Sequence, residues 1–106
     1  MAKYKGKILG YAAVDSGQLL IVDPCYLSAW KDGEAFPKRG DKDYGNHYAK
    51  ACKITTEAKD QGGELLVSGI AGNGVVFASG YGDGNYPITA EYDKNGKIES
   101  IVVHLQ

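Results

Sequence analysis

The stretch Ser79-Gly80-Tyr81-Gly82-Asp83-Gly84-Asn85-Tyr86-Pro87 brings together glycines, two tyrosines, a carboxylate and a proline. Glycines at alternate positions disfavour a helix and make an ordinary strand a poor choice, since each costs chain entropy and packs nothing. Such backbone can approach a ligand closely, and its N–H groups can form an anion-accepting nest without a helix. Tyr81 and Tyr86 would supply stacking faces beside it. A second segment, running from Asp15 to Tyr26, also carries Asp, Tyr and Pro next to an apolar run. A site is expected where the two segments meet. Tyr26, Trp30 and Tyr44 add aromatic surface, and Lys38 and Arg39 add cations for phosphate. Stacking faces with a few cations suit a small nucleotide better than a polymer. The candidate ligand residues are therefore Tyr26, Trp30, Lys38, Arg39, Tyr81, Gly82, Asp83 and Tyr86. A structural role competes on equal terms, because a tyrosine can cover a small core and steady a turn just as well.

Other constellations are weaker. Asp15, Asp23 and Asp83 could act as paired carboxylates, but Asp at such positions more often shapes a turn or caps the next element. Cys25 could be a nucleophile with His47 or His104 as its base. Nothing local would lower its thiol pKa, since no long helix begins there and no histidine is close in sequence. Cys25, His47, Cys52 and His104 lack the short ligand pairs that close a zinc chelate. The loop Asp93-Lys94-Asn95-Gly96-Lys97-Ile98-Glu99 misses most of a calcium ligand ladder and suits a hairpin turn better. Gly69, Gly72 and Gly74 precede the strand-like run Val75-Val76-Phe77, whereas a phosphate loop needs a helix there. No catalytic residue, metal site or cofactor is expected.

Composition bounds the class. The chain has 106 residues, which suits one domain spanning residues 1–106. Hydrophobic residues make up 43%, enough for one modest core. The net charge of −1 gives no bulk basic field for a nucleic-acid polymer. No apolar run reaches the ~20 residues of a membrane-spanning helix. The first residues lack the apolar stretch of a signal peptide. Cys25 and Cys52 read as reduced thiols, in keeping with a cytoplasmic protein.

The elements that would position these groups are short strands. Lys7 to Val14 is expected as a strand, followed by a turn at Asp15-Ser16-Gly17. Gln18 to Val22 is a continuous apolar run, expected as a central strand buried on both faces. Leu27 to Trp30 suits one helical turn with Ser28 as a cap. Lys31 to Gly45 is polar and charged, the composition of a long loop. Residues 47–56 alternate and read as a half-buried strand. Glu64 to Ile70 and Val75 to Ser79 would form a hairpin around Ala71-Gly72-Asn73-Gly74, since Asn-Gly favours such turns. Ile88 to Tyr92 and Lys97 to Leu105 would form another around Asp93-Lys94-Asn95-Gly96. The expected fold is all-β, or β with one short helix. About seven strands would form a compact antiparallel sandwich or a partly closed barrel.

Two segments resemble a known group. Ser16-Gly17-Gln18-Leu19-Leu20-Ile21-Val22-Asp23-Pro24-Cys25-Tyr26 is similar to the opening of many small phage and bacterial proteins, mostly of unknown function. Gly80-Tyr81-Gly82-Asp83-Gly84-Asn85-Tyr86-Pro87, with Ala90-Glu91-Tyr92-Asp93, resembles their ending, with Ile88 where Val is usual. A similar ending occurs in a longer bacterial domain of unknown function. The likeness leaves residues 31–64 unmatched. Within this circle the chain resembles phage anti-CBASS sponge proteins. That resemblance implies a non-enzymatic homo-oligomer that sequesters a cyclic dinucleotide in the host cytoplasm. A cysteine-dependent enzyme using Cys25 and His47, and an immunity protein with a protein partner, stand as alternatives.

Overall fold

The computed structural model describes residues 4–30, 47–68 and 71–105. The expected loop Lys31 to Gly45, with Lys38, Arg39 and Tyr44, lies outside them. The chain divides into two compact units: Met1–Gly17 with Ser79–Gln106, and Gln18–Ala78.

In the first unit, β1 (Lys7–Val14), β5 (Gly84–Tyr92) and β6 (Ile98–Val103) form an antiparallel sheet in the order β1-β5-β6. Central β5 holds the buried Tyr86, Pro87, Thr89 and Ala90. A proline in a central strand normally breaks a ladder bond. Here the Pro87 carbonyl accepts from His104 N–H at 3.0 Å, so Pro87 faces the β6 side. The donor it lacks falls opposite His104, just past the end of β6. Thr89, fully buried, bonds through Oγ1 to His104 Nε2 at 2.8 Å. The His104 ring stacks at a tilt on Tyr4, centroids 4.3 Å apart. The β5–β6 turn agrees with expectation. Asp93 Oδ1 accepts from the N–H groups of Asn95 and Lys97, and Gly96 takes φ +79°.

In the second unit the sheet order is β2 (Gln18–Ile21), β4 (Ala71–Ala78), β3 (Gly62–Ser68), again antiparallel. Among the described residues the apolar run at Gln18 is thus an edge strand, not the central one expected. The centre belongs to β4. Nor do Asn73 and Gly74 form the hairpin turn. They lie within β4 opposite Leu66 and Leu65, and Ser68 pairs with Ala71. Gly74 is needed for a different reason: a Cβ there would lie 2.8 Å from the Ile21 carbonyl oxygen and 2.9 Å from Leu20 Cδ1.

The largest departure is residues 47–56, expected as a strand and found as the α-helix α1 (His47–Glu57). Its buried positions are His47, Ala51 and Thr55, four residues apart as a helical face requires. Ala51 joins Leu65 and Val76 in the core, with Leu20, Trp30 and Ile54 packed around them. Gln18 ties the helix to the sheet. Its Nε2 donates to Cys52 Sγ at 3.3 Å, and its Oε1 accepts from Thr55 Oγ1 at 3.0 Å. Six strands, rather than seven, stand among the described residues. The class is β with one short helix, and neither sheet closes into a barrel. No helix among the described residues is long and apolar enough to cross a membrane.

Candidate functional site

The glycine-rich turn is built on its own backbone. Ser79, fully buried, enters from β4 and donates its N–H to Gly17 O at 2.9 Å. Tyr81 N–H then turns back to Ser79 O at 2.9 Å, closing a three-residue turn around Gly80 at φ +79°. That φ with an i to i+2 bond is a strained conformation that glycine adopts most readily. Gly82 comes next, at φ +97°. Its carbonyl accepts two hydroxyls, Ser79 Oγ at 2.6 Å and Tyr86 Oη at 2.5 Å. One acceptor with two lone pairs thus ties together the start and the end of the motif. From Gly84 the chain enters β5, where Gly84 pairs with Val14. The second half of the run is therefore strand after all, carried by the aromatic and branched residues beyond the glycines.

This arrangement divides the motif's tyrosines. Tyr86 has 6% of its surface exposed and spends its hydroxyl on Gly82. Tyr81 is 82% exposed and stands outward from the locked turn, with exposed Asp83 nearby in sequence. Gly82 is half-buried. Ser79, which sequence reasoning passed over, is the residue that fixes the turn. The signal available was a small hydroxyl three residues before Gly82, at the spacing from which it can reach that carbonyl.

The other segment lies in the second unit. The chain from Pro24 to Ala29 makes a 3₁₀ helix with Asp23 as its N-cap, the structural role weighed for that residue, while Ser28 lies inside the helix and does not cap it. Asp23 Oδ1 accepts from Cys25 N–H at 2.9 Å. Pro24 occupies the first helical turn, where its missing N–H costs nothing. Tyr26 is half-buried, and half-buried Trp30 packs on the core with its ring 5.4 Å from that of His47. Cys25 is exposed, and its thiol pKa is raised by local desolvation, then by the hydrogen bond and the negative charge of Asp23. Cys52 is half-buried against Gln18. Among the described residues no group of three His, Cys, Asp or Glu is placed to hold a metal ion. The candidate ligand residues are thus spread over both units: Tyr26 and Trp30 in one, Tyr81, Gly82, Asp83 and Tyr86 in the other.

Fold and turn together define a small antiparallel β protein with one short helix and a hydroxyl-locked glycine turn. The chain belongs to a family described as "Protein of unknown function (DUF4241)", whose model matches residues 4–103. Comparison with curated proteins gave no match, and comparison with solved structures gave none.

Proposed function

We propose that this protein captures a cyclic dinucleotide without cleaving it, as a phage-type sponge that blunts host defence in the host cytoplasm and works as a homo-oligomer. The observation that carries this reading is Tyr81, a ring 82% exposed on a turn whose own polar groups are tied down. A turn fixed before binding loses little backbone entropy when a base lands on the ring it carries. Stacking contributes about 1–3 kcal/mol per base. Asp83 beside it would meet the exocyclic amino group of a purine. Capture by mass action needs affinity and copy number, not turnover. The raised thiol pKa of Cys25 lowers its thiolate fraction near neutrality, which leaves the cysteine-enzyme alternative with less support.

The test is a thermal-shift panel of cyclic dinucleotides, with heat release and chromatography of the ligand afterwards. A shift with intact ligand, lost in Tyr81→Ala at unchanged unliganded Tm, is the expected result. Release of altered ligand would point to an enzyme. An absence of shift across the panel would overturn nucleotide capture and favour a protein partner.

A further inference from the structure

Strand β6 is the edge of its sheet, with no strand on its far side among the described residues. Its pairing with β5 shows which of its backbone groups are free to face outward. His104 N–H points inward to Pro87 O, so the alternation of an antiparallel ladder turns Val102 inward as well. Ile101 and Val103 then present their N–H and C=O groups outward.

Natural edge strands are blunted by lysine, proline, inward charge or a bulge. β6 has one such device, the register shift at Glu91/Tyr92 that leaves Glu99 out of the pairing. Beyond it, Ser100–Val103 is regular, uncharged and free of proline. It carries three consecutive β-branched apolar residues, with Ile101 46% and Val102 40% exposed. The opposite edge differs. β1 also exposes large apolar side chains, Ile8, Leu9 and Tyr11, but its pairing is interrupted by a register shift between Ile8 and Gly10, it starts at Lys7, and Gly10, Ala12 and Ala13 break up its apolar run.

We propose that the β6 edge pairs antiparallel with β6 of a second copy, about a two-fold axis at Val102. This register opposes Ile101 to the partner copy's Val103, Val102 to its own counterpart, and Ser100 to His104. The two outward-facing residues of each strand then exchange about four main-chain hydrogen bonds. Charge selects this arrangement over a parallel one. Parallel pairing in register would place Glu99 beside Glu99, whereas the two-fold places Glu99 opposite Leu105 and no like charges together. The proposal gives the homo-oligomer suggested above a surface. It does not depend on nucleotide capture, and either can fail alone.

The test is sedimentation of the nucleotide-free chain across a concentration series, with two sets of variants. Ile101→Pro removes only outward-facing donors, so the ladder to β5 persists. Self-association is expected to weaken about tenfold or more while the circular dichroism spectrum holds. In a Cys25→Ser background, Val102→Cys is expected to form a covalent dimer on mild oxidation. Opposed Cα atoms at a non-hydrogen-bonded pair lie about 4.5 Å apart, within disulfide reach. Ser100→Cys is expected not to cross-link, since its counterpart would lie about 14 Å away along the strand. A monomeric wild type at every concentration would overturn the proposal. So would a folded Ile101→Pro that stays fully dimeric, or cross-linking at Ser100→Cys equal to that at Val102→Cys. If Ile101→Pro fails to fold, the cysteine pair decides alone.

Discussion

The doubly accepted carbonyl of Gly82 makes a quantitative prediction about cooperativity. Tyr86→Phe removes one of its two donors and changes the shape of the buried ring hardly at all. Ser79→Ala removes the other donor from a fully buried position. After either single change the carbonyl keeps one partner, so each is expected to cost about 1 kcal/mol, the net worth of an ordinary hydrogen bond. That corresponds to a fall in Tm of about 4–8 °C for a small domain. The double variant leaves a half-buried carbonyl with neither hydroxyl, and the penalty for an unsatisfied group is about 1–3 kcal/mol. The two changes together should therefore cost about 3 kcal/mol, with a coupling near 1 kcal/mol beyond their sum. A urea-unfolding double-mutant cycle reads this directly. Additivity within about 0.5 kcal/mol would refute the lock, and would mean that water or neighbouring backbone satisfies Gly82 equally well.

Single positions carry further expectations. Gly80→Ala meets no atom within 4 Å, so its cost, about 1–3 kcal/mol in urea unfolding, should come from φ +79° alone. Gly74→Ala drives a Cβ against Ile21 O and Leu20 Cδ1, and about 2 kcal/mol or more should be lost as β2 is pushed off β4. Thr55→Val keeps the volume but strips a buried side chain of its bond to Gln18, which should cost about 1–2 kcal/mol. Asp23→Asn keeps the N-cap and removes the charge that helps raise the Cys25 thiol. A raised thiol pKa means protonation persists to higher pH, so the pH profile of Cys25 alkylation should move toward lower pH in this variant. An unmoved profile would mean that the Asp23 charge has no hold on the thiol.

The sequence was most readable where local chemistry and tertiary demand agree. Asp93-Lys94-Asn95-Gly96 turns where it should, because Asp93 bonds its own succeeding amides and Gly96 takes the positive φ. The capping role of Asp23 was likewise legible from the habit of Asp side chains of accepting from nearby backbone N–H groups. Helix α1 was not, because its buried face is His47, Ala51 and Thr55. No large apolar residue marks that stripe, while Tyr48, Cys52 and Ile54 mimic the period of a strand. The helix is held instead by Ala51 in the core and by Gln18 reaching Cys52 and Thr55 from another element. Asn73-Gly74 misled for a related reason, since its glycine answers to a close backbone neighbour and not to a turn. In the candidate site, the glycines and tyrosines were legible as a group. Which tyrosine is buried and which exposed depends on Ser79 and on the register of β5 with β1.

The pairing of Gln18 with Ala78 bears on the order of folding. Strands β1 and β5 are distant along the chain, with the whole of Gln18–Ala78 between them. Closing so long a loop to pair them directly would cost substantial chain entropy. Once β2 and β4 have paired, Gly17 and Ser79 are already neighbours, and the bond from Ser79 N–H to Gly17 O continues the same zipper. Pairing of β1 with β5 then starts from chain ends already held together, so less loop-closure entropy remains to be lost. Loss of β2–β4 pairing should therefore slow formation of the β1-β5-β6 sheet, while weakening that sheet should leave the folding rate of Gln18–Ala78 untouched.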